Sequence, residues 1–143
     1  MTIVNNVIAC YPSSNHSMPY KNILLIDDDE DDQEIFLAAL ERIPQSVVCQ
    51  GVTNATMALR KLVDKQIQTD VIFLDLNMPL MNGQQFLKEV KQYEALRDIP
   101  VIIFSTSSNT QTIKETKELG AYDFITKPDK FDDLVVILRS LIA

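Results

Sequence analysis

The sequence predicts an α/β fold in which five strands alternate with five helices and form one parallel sheet covered on both faces. Three observations predict it. The apolar runs at 23–26, 71–74 and 101–104 are too continuous for half-exposed strands and too short for helices, the pattern of strands buried on both sides. The stretches between them carry apolar residues at helical spacing. Strand and helix alternate at the interval of βαβ units, whose crossovers are right-handed and whose sheets are parallel.

Taken in order, Met1–Tyr20 contains no Lys, Arg, Asp or Glu and is rich in Asn, Ser and Pro, a tail composition that marks 1–20 as an uncharged extension and 21–143 as the domain. Val7-Ile8-Ala9-Cys10 looks like a lipidation box, but no basic start precedes it and Asn5-Asn6 breaks its apolar run, so export is not expected. The first strand, Ile23 to Ile26, runs into Asp27-Asp28-Asp29-Glu30-Asp31-Asp32. Asp31, Asp32 and Glu34 suit the first turn of the helix that carries Ile35, Phe36, Ala39, Leu40 and Ile43, because negative charge is favourable at a helix N-terminus. Asp29 is left with no role beyond solvation. A second strand is expected over 46–52, and Thr53 or Asn54 caps a helix through Met57, Leu59 and Leu62.

The third strand, Val71 to Leu74, stops at Asp75. Pro79 and Asn82-Gly83 then impose a loop, proline by lacking a backbone donor and glycine by tolerating positive φ. A helix bearing Phe86, Leu87 and Val90 follows, then a fourth strand at Val101 to Phe104 that ends in Ser105-Thr106-Ser107-Ser108. A polar helix from about Thr110 to Leu119 stops at Gly120, a C-terminal cap position. The fifth strand, Tyr122 to Thr126, is closed by Lys127-Pro128, and Phe131 to Ile142 forms the last helix.

Composition narrows the function classes. With 46% hydrophobic residues the chain can bury a proper core, and a net charge of −7 argues against nucleic acid and against an anionic membrane surface as partners. Cys10, Cys49 and the single His16 have no zinc-site spacing, and no apolar run approaches the roughly 20 residues of a membrane span. A cytoplasmic protein is expected. Only three glycines are present and no glycine-rich loop follows the first strand, which counts against a nucleotide site.

In open parallel sheets, ligands bind beyond the carboxyl ends of the strands. Collected at that edge are Asp27, Asp28, Asp75, the Ser105 hydroxyl and the Lys127 ammonium. Carboxylates about 4 Å apart repel by roughly 4 kcal/mol per pair at an effective dielectric of 20, so the cluster needs a cation. Oxygen-only ligands select a hard ion, and Mg²⁺, which keeps waters and accepts a phosphate oxygen, fits best, with Mn²⁺ as a substitute. Such a site suits a phosphoryl group, and a carboxylate can accept one as a nucleophile. Asp75 takes that role. Asp28 would ligate the metal directly, Asp27 directly or through water, and the Asn77 backbone carbonyl would complete the set. Lys127 would neutralise one phosphate oxygen and Ser105 would hydrogen-bond another.

These residues resemble the receiver domain of two-component response regulators, from Lys21 to the C-terminus. The resemblance rests on Ile26-Asp27-Asp28, on Asp75-Leu76-Asn77-Met78-Pro79 with Asn82-Gly83, on Pro100 through Ser105, and on Phe124-Ile125-Thr126-Lys127-Pro128. It implies a flavodoxin-like sheet of order 2-1-3-4-5. It also implies Mg²⁺-dependent phosphorylation of Asp75 by a phosphohistidine on a sensor histidine kinase or a histidine phosphotransfer protein, slow self-catalysed hydrolysis, and a cis peptide before Pro128. In such domains Ser105 and Phe124 form a switch, the hydroxyl moving toward the phosphoryl group and the ring turning into the vacated space. Ser105 stands where threonine is usual, Thr106 is bulkier than the residue often found there, and Asn77, Thr106 and Ser107 occupy positions that tune hydrolysis. With no output domain attached, a stand-alone regulator acting by contact with a downstream protein, rather than as an enzyme on a separate substrate, is expected. Two alternatives remain. A haloacid-dehalogenase-like phosphatase shares the strand-end Asp, Mg²⁺ and Lys but wants an Asp where Asn77 stands, and a flavodoxin-like binding module would have no phosphoryl chemistry.

Overall fold

The computed structural model describes residues 20–107 and 109–142. The uncharged segment with Cys10 and His16, up to residue 19, lies outside the described residues. Among the described residues ten elements alternate strictly: β1 (Asn22–Ile26), α1 (Glu30–Leu40), β2 (Val48–Val52), α2 (Ala55–Val63), β3 (Val71–Leu74), α3 (Gly83–Val90), β4 (Val101–Ser105), α4 (Thr110–Glu118), β5 (Asp123–Thr126) and α5 (Phe131–Ile142). The five strands form one parallel sheet in the order β2-β1-β3-β4-β5. This is the expected flavodoxin-like topology.

Why the central strands read as unbroken apolar runs is visible in where their side chains go. Successive residues of a strand point to opposite faces. Leu24 and Ile26 of β1, Ile72 and Leu74 of β3, and Val101 and Ile103 of β4 pack with α2 and α3 on one face. Ile23 and Leu25, Val71 and Phe73, and Ile102 and Phe104 pack with α1 and α5 on the other. Both faces are therefore dry along all three central strands, and neither could carry a polar residue cheaply. At the edges the pressure relaxes, so β2 and β5 are partly exposed. α4 contributes a single buried residue, Thr116, which is why that helix is polar enough to read as a surface element.

Several boundaries differ from expectation for identifiable reasons. α2 is capped by Asn54, whose side chain accepts from the Met57 N–H, and Thr53 lies outside the cap. Tyr122 remains outside β5, although its N–H still donates to the Val101 carbonyl. Gly120 has a φ of 105° and ends the α4 segment as a left-handed cap residue should. Asp29 is the N-cap of α1 and accepts from the N–H groups of Asp31 and Asp32, which corrects its assignment as merely solvated.

On the α1/α5 face Phe36, Phe73 and Phe104 meet edge to face, with centroids 5.1, 5.6 and 6.4 Å apart. The three rings fill the space under the carboxyl edge of the sheet. Phe73→Ala should lower the unfolding free energy by ~3–5 kcal/mol with little change in denaturant slope, as read by urea titration. A loss below about 1 kcal/mol would mean that the ring cluster is not a packing unit.

Candidate functional site

β1 and β3 each deliver a carboxylate by continuing the strand pattern one residue past the strand end. The Asp27 N–H still donates to the Val52 carbonyl and the Asp75 N–H to the Ile26 carbonyl, so both backbones remain in the sheet ladder. The alternation that buries Leu25 and Phe73 under α1 and α5 then puts Asp27 and Asp75 on that same side. They are 1% and 6% exposed, whereas Asp28, the next residue along, is exposed to solvent. One oxygen from each of Asp27, Asp28 and Asp75 lies within 4.8 Å of the others.

Lys127 enters from the end of β5. Its backbone N–H donates to the Ser105 carbonyl at 2.8 Å, tying the fourth and fifth strand ends together. Its Nζ lies 2.7 Å from Asp27 Oδ2, 2.8 Å from Asp32 Oδ2 and 3.9 Å from Asp75 Oδ1, and 5.6 Å from the centroid of the Phe104 ring. Three carboxylates and an aromatic face thus surround one ammonium. Ser105 is fully buried and its hydroxyl oxygen accepts the Ser107 N–H at 3.3 Å. Thr106 between them is exposed, as is Asn77.

The electrostatics are unbalanced. Burial pushes the Asp75 carboxyl up to about 6 from an ordinary 3.8; Lys127 and the Asn77 N–H pull it down, and Asp27 and Asp28 push it further up. Burial likewise raises Asp27, despite hydrogen bonds from Lys127 and from the Asp29 N–H. For Lys127, burial favours the neutral amine, but the hydrogen bonds to Asp27 and Asp32 outweigh it and hold the ammonium above its usual range. A single lysine therefore keeps its own charge without offsetting the burial of Asp27 and Asp75.

Gly83 is required, but for a reason other than the expected one. A Cβ there would lie 2.6 Å from the Asp75 carbonyl oxygen and 2.7 Å from the Leu76 Cα, so the start of α3 presses directly on the backbone of the acidic residue. Its φ is not positive; in this loop the left-handed conformation belongs to Leu80, at φ 68°. Asn82 and Gln85 form a reciprocal capping box that fixes the loop's exit.

Two contributors were not singled out from sequence. Gln33 donates from Nε2 to the Asp27 and Val52 carbonyls at 2.7 and 3.2 Å, pinning the first loop to β2. Its side chain also occupies the space that a Cβ on Gly51 would fill. Asp32 had been credited only with helix-terminal charge. The signal was available: Asp32 shares a helix face with Phe36 and Ala39, and Gln33 with Phe36 and Leu40, so both point inward at the end nearest the sheet edge.

The sequence model of the family described as response regulator receiver domain matches residues 23–139. The chain belongs to that family. This receiver is 38% identical over 108 residues to a protein-glutamate methylesterase/protein-glutamine glutaminase of Treponema pallidum, an alignment covering 74% of the chain and 26% of that protein. It is 31% identical over 132 residues to the two-component response regulator ARR15 of Arabidopsis thaliana, covering 85% of the chain and 62% of the relative. The chain thus spans less than two thirds of the length of either. Among solved structures, the receiver is similar to the Mn²⁺-bound form of response regulator Rcp1, with a TM-score of 0.76 at 26% identity, covering 85% of this chain and 91% of that one. It is also similar to a phosphorylated cyanobacterial phytochrome response regulator, RcpA, with a TM-score of 0.78 at 28% identity and the same coverage. Among the described residues no helix is long and apolar enough to cross a membrane.

The raised Asp75 carboxyl has a calculable effect on stability. Below 3.8 it is protonated folded and unfolded alike; between 3.8 and about 6 the folded state holds the proton more tightly, so stability falls as pH rises through that window. Above it the folded protein carries a cost of ~3 kcal/mol. Metal-free Asp75→Asn should therefore exceed the wild type by ~1–3 kcal/mol at pH 7.5 in urea titrations, the difference closing toward pH 4. A wild type that is the more stable at pH 7.5 would contradict the raised Asp75 carboxyl.

Proposed function

We propose that this receiver is a phosphorelay response regulator that accepts a phosphoryl group on Asp75 from a phosphohistidine donor, either a sensor histidine kinase or a histidine phosphotransfer protein. The observation that carries the reading is the convergence of Asp27, Asp28 and Asp75 within 4.8 Å, opposed by a lysine that reaches all but the exposed one. All-oxygen donors with two buried carboxylates fit a hard divalent ion, Mg²⁺ or its substitute Mn²⁺. Asp28 and Asp75 would hold it directly, Asp27 directly or through a water, and the Asn77 carbonyl would complete the protein ligands. When bound, the ion supplies charge neutralisation at the phosphoryl oxygens.

The chain's own residues do the rest. The Asp75 carboxylate attacks phosphorus, a P–O bond forms as the P–N bond breaks, and the imidazole leaves with the electron pair and takes up a proton. Burial makes Asp75 a stronger nucleophile than a solvated carboxylate, at the cost of protonation below about pH 6. Lys127 neutralises one phosphoryl oxygen and the Ser105 hydroxyl donates to another, since its only partner among the described residues is an N–H that it accepts. Water later cleaves the acyl phosphate, at a rate tuned by Asn77, Thr106 and Ser107 around the entrance.

The signal is carried by the Ser105–Phe124 pair. Phe124 is half-buried and lines a cavity of about 150 Å³ between α4 and β5, with Ile113, Thr116 and Tyr122 among its walls. As Ser105 moves toward the phosphoryl group, the ring turns inward and the exposed face of α4, β5 and α5 changes shape. A downstream protein reads that face; a net charge of −7 speaks against nucleic acid as the target. A cis Lys127–Pro128 peptide belongs to the same reading.

Incubation with Mg²⁺ and phosphoramidate or acetyl phosphate should add one phosphate to the intact mass, reversibly, and Asp75→Asn should abolish the adduct. Turnover of many phosphate esters without a lasting adduct would favour the phosphatase alternative, and no adduct at all would leave only a binding module.

A further inference from the structure

Lys127 has three N–H donors, and two are committed before any phosphoryl group arrives, to Asp27 at 2.7 Å and to Asp32 at 2.8 Å. The ammonium stops 3.9 Å from Asp75, more than 1 Å beyond its distance to either bonded carboxylate. Asp32 belongs neither to the three-aspartate cluster nor to a strand end; it projects from the first turn of α1. The two bonded partners also differ. Asp27 is buried and bound to the Asp29 N–H as well, so it cannot turn away. The Asp32 side chain is 35% exposed and water can take over its oxygens when the lysine departs.

We infer that Asp32 is a positioning residue that holds Lys127 on the α1 side and competes with the phosphoryl group for it, so that its carboxylate sets how tightly the modified state is held. This rests on the phosphoryl reading of the site. When a phosphoryl oxygen appears on Asp75, Lys127 exchanges its Asp32 bond for one to that oxygen and keeps Asp27. The same exchange runs backward on hydrolysis. α1 thereby takes part in the chemistry of a group carried by the residue after β3, through the lysine that follows β5. Phe104 below and Asp27 beside it confine the ammonium to a short path between its two positions.

The test uses the full chain and beryllofluoride, a non-transferable phosphoryl mimic, with Mg²⁺. Asp32→Asn removes the competing charge and should tighten beryllofluoride binding about fivefold, the scale of a partly exposed ion pair, and lengthen the lifetime of the phosphate adduct by a similar factor. Asp31→Asn changes net charge equally one residue away and should alter either quantity less than about twofold, which separates bond exchange from the general field. Asp32→Glu keeps a carboxylate on the same turn and should return both quantities toward the wild type. In phosphoramidate titrations the Asp32→Asn effect should fall on the maximal rate as well as on half-saturation, which loss of helix stability alone would not produce. Equal effects of Asp32→Asn and Asp31→Asn, or weaker binding in Asp32→Asn, would overturn the inference while leaving the phosphoryl reading intact. A wild type that neither binds beryllofluoride nor takes phosphate removes that reading and this inference with it.

Discussion

One ammonium facing three carboxylates is the constraint around which the carboxyl edge of this sheet is arranged. Asp27 and Asp75 emerge from strands that are dry on both faces, so their charges cannot retreat into water. Lys127 is brought to them by the pairing of β5 with β4 and by its own N–H bond to the Ser105 carbonyl. Below it the Phe104 ring offers a face that favours a cation and excludes water. Without the lysine, two buried carboxylates would stand uncompensated, a state that costs several kcal/mol and is relieved in practice by taking up protons.

The compensation is deliberately incomplete. Burial holds the Asp75 carboxyl up to about 6 and raises Asp27 as well, so the lysine's pull does not offset the cost of taking the two carboxylates out of water. A well-paired structural ion pair would do the opposite and depress both carboxyls. The folded domain therefore pays a standing penalty at neutral pH, which the divalent ion of the proposed function would offset by binding the native cluster alone. Rigid supports make that penalty tolerable: Gln33 pins the first loop to β2, Gly83 lets α3 press on the Asp75 backbone, and the Asn82–Gln85 box fixes the following turn.

Much of this was legible in the sequence, and the reasons differ by element. The central strands were clear because burial on both faces forces a continuous apolar run, and their polar terminators stood out against it. Convergence of Asp27, Asp75, Ser105 and Lys127 followed from the parallel topology, which sends every strand end to one edge. The edge strands were placed less accurately, since β2 and β5 are only partly buried and their limits depend on pairing rather than on pattern. Asp29 and Asp32 were obscured by the acidic run around them: six acids in a row look alike until the helix starts at Glu30 and gives one the cap and another the inner face. Gly83 was recognised for the wrong property, because steric closeness to Leu76 and Asp75 is a tertiary fact that a one-dimensional pattern cannot express.

The convergence of three acids on one ion site is the claim on which the function rests, and it can be observed without any phosphoryl donor. Trace Mn²⁺ added to ¹⁵N-labelled protein broadens amide resonances steeply with proximity. The structure predicts that residues 27–28, 75–77 and 105–107 broaden first and together, and that Mg²⁺ in excess restores them. Broadening that instead centres on the exposed acids Asp132 and Asp133 at the start of α5, or that spreads evenly over the acidic surface, would contradict it.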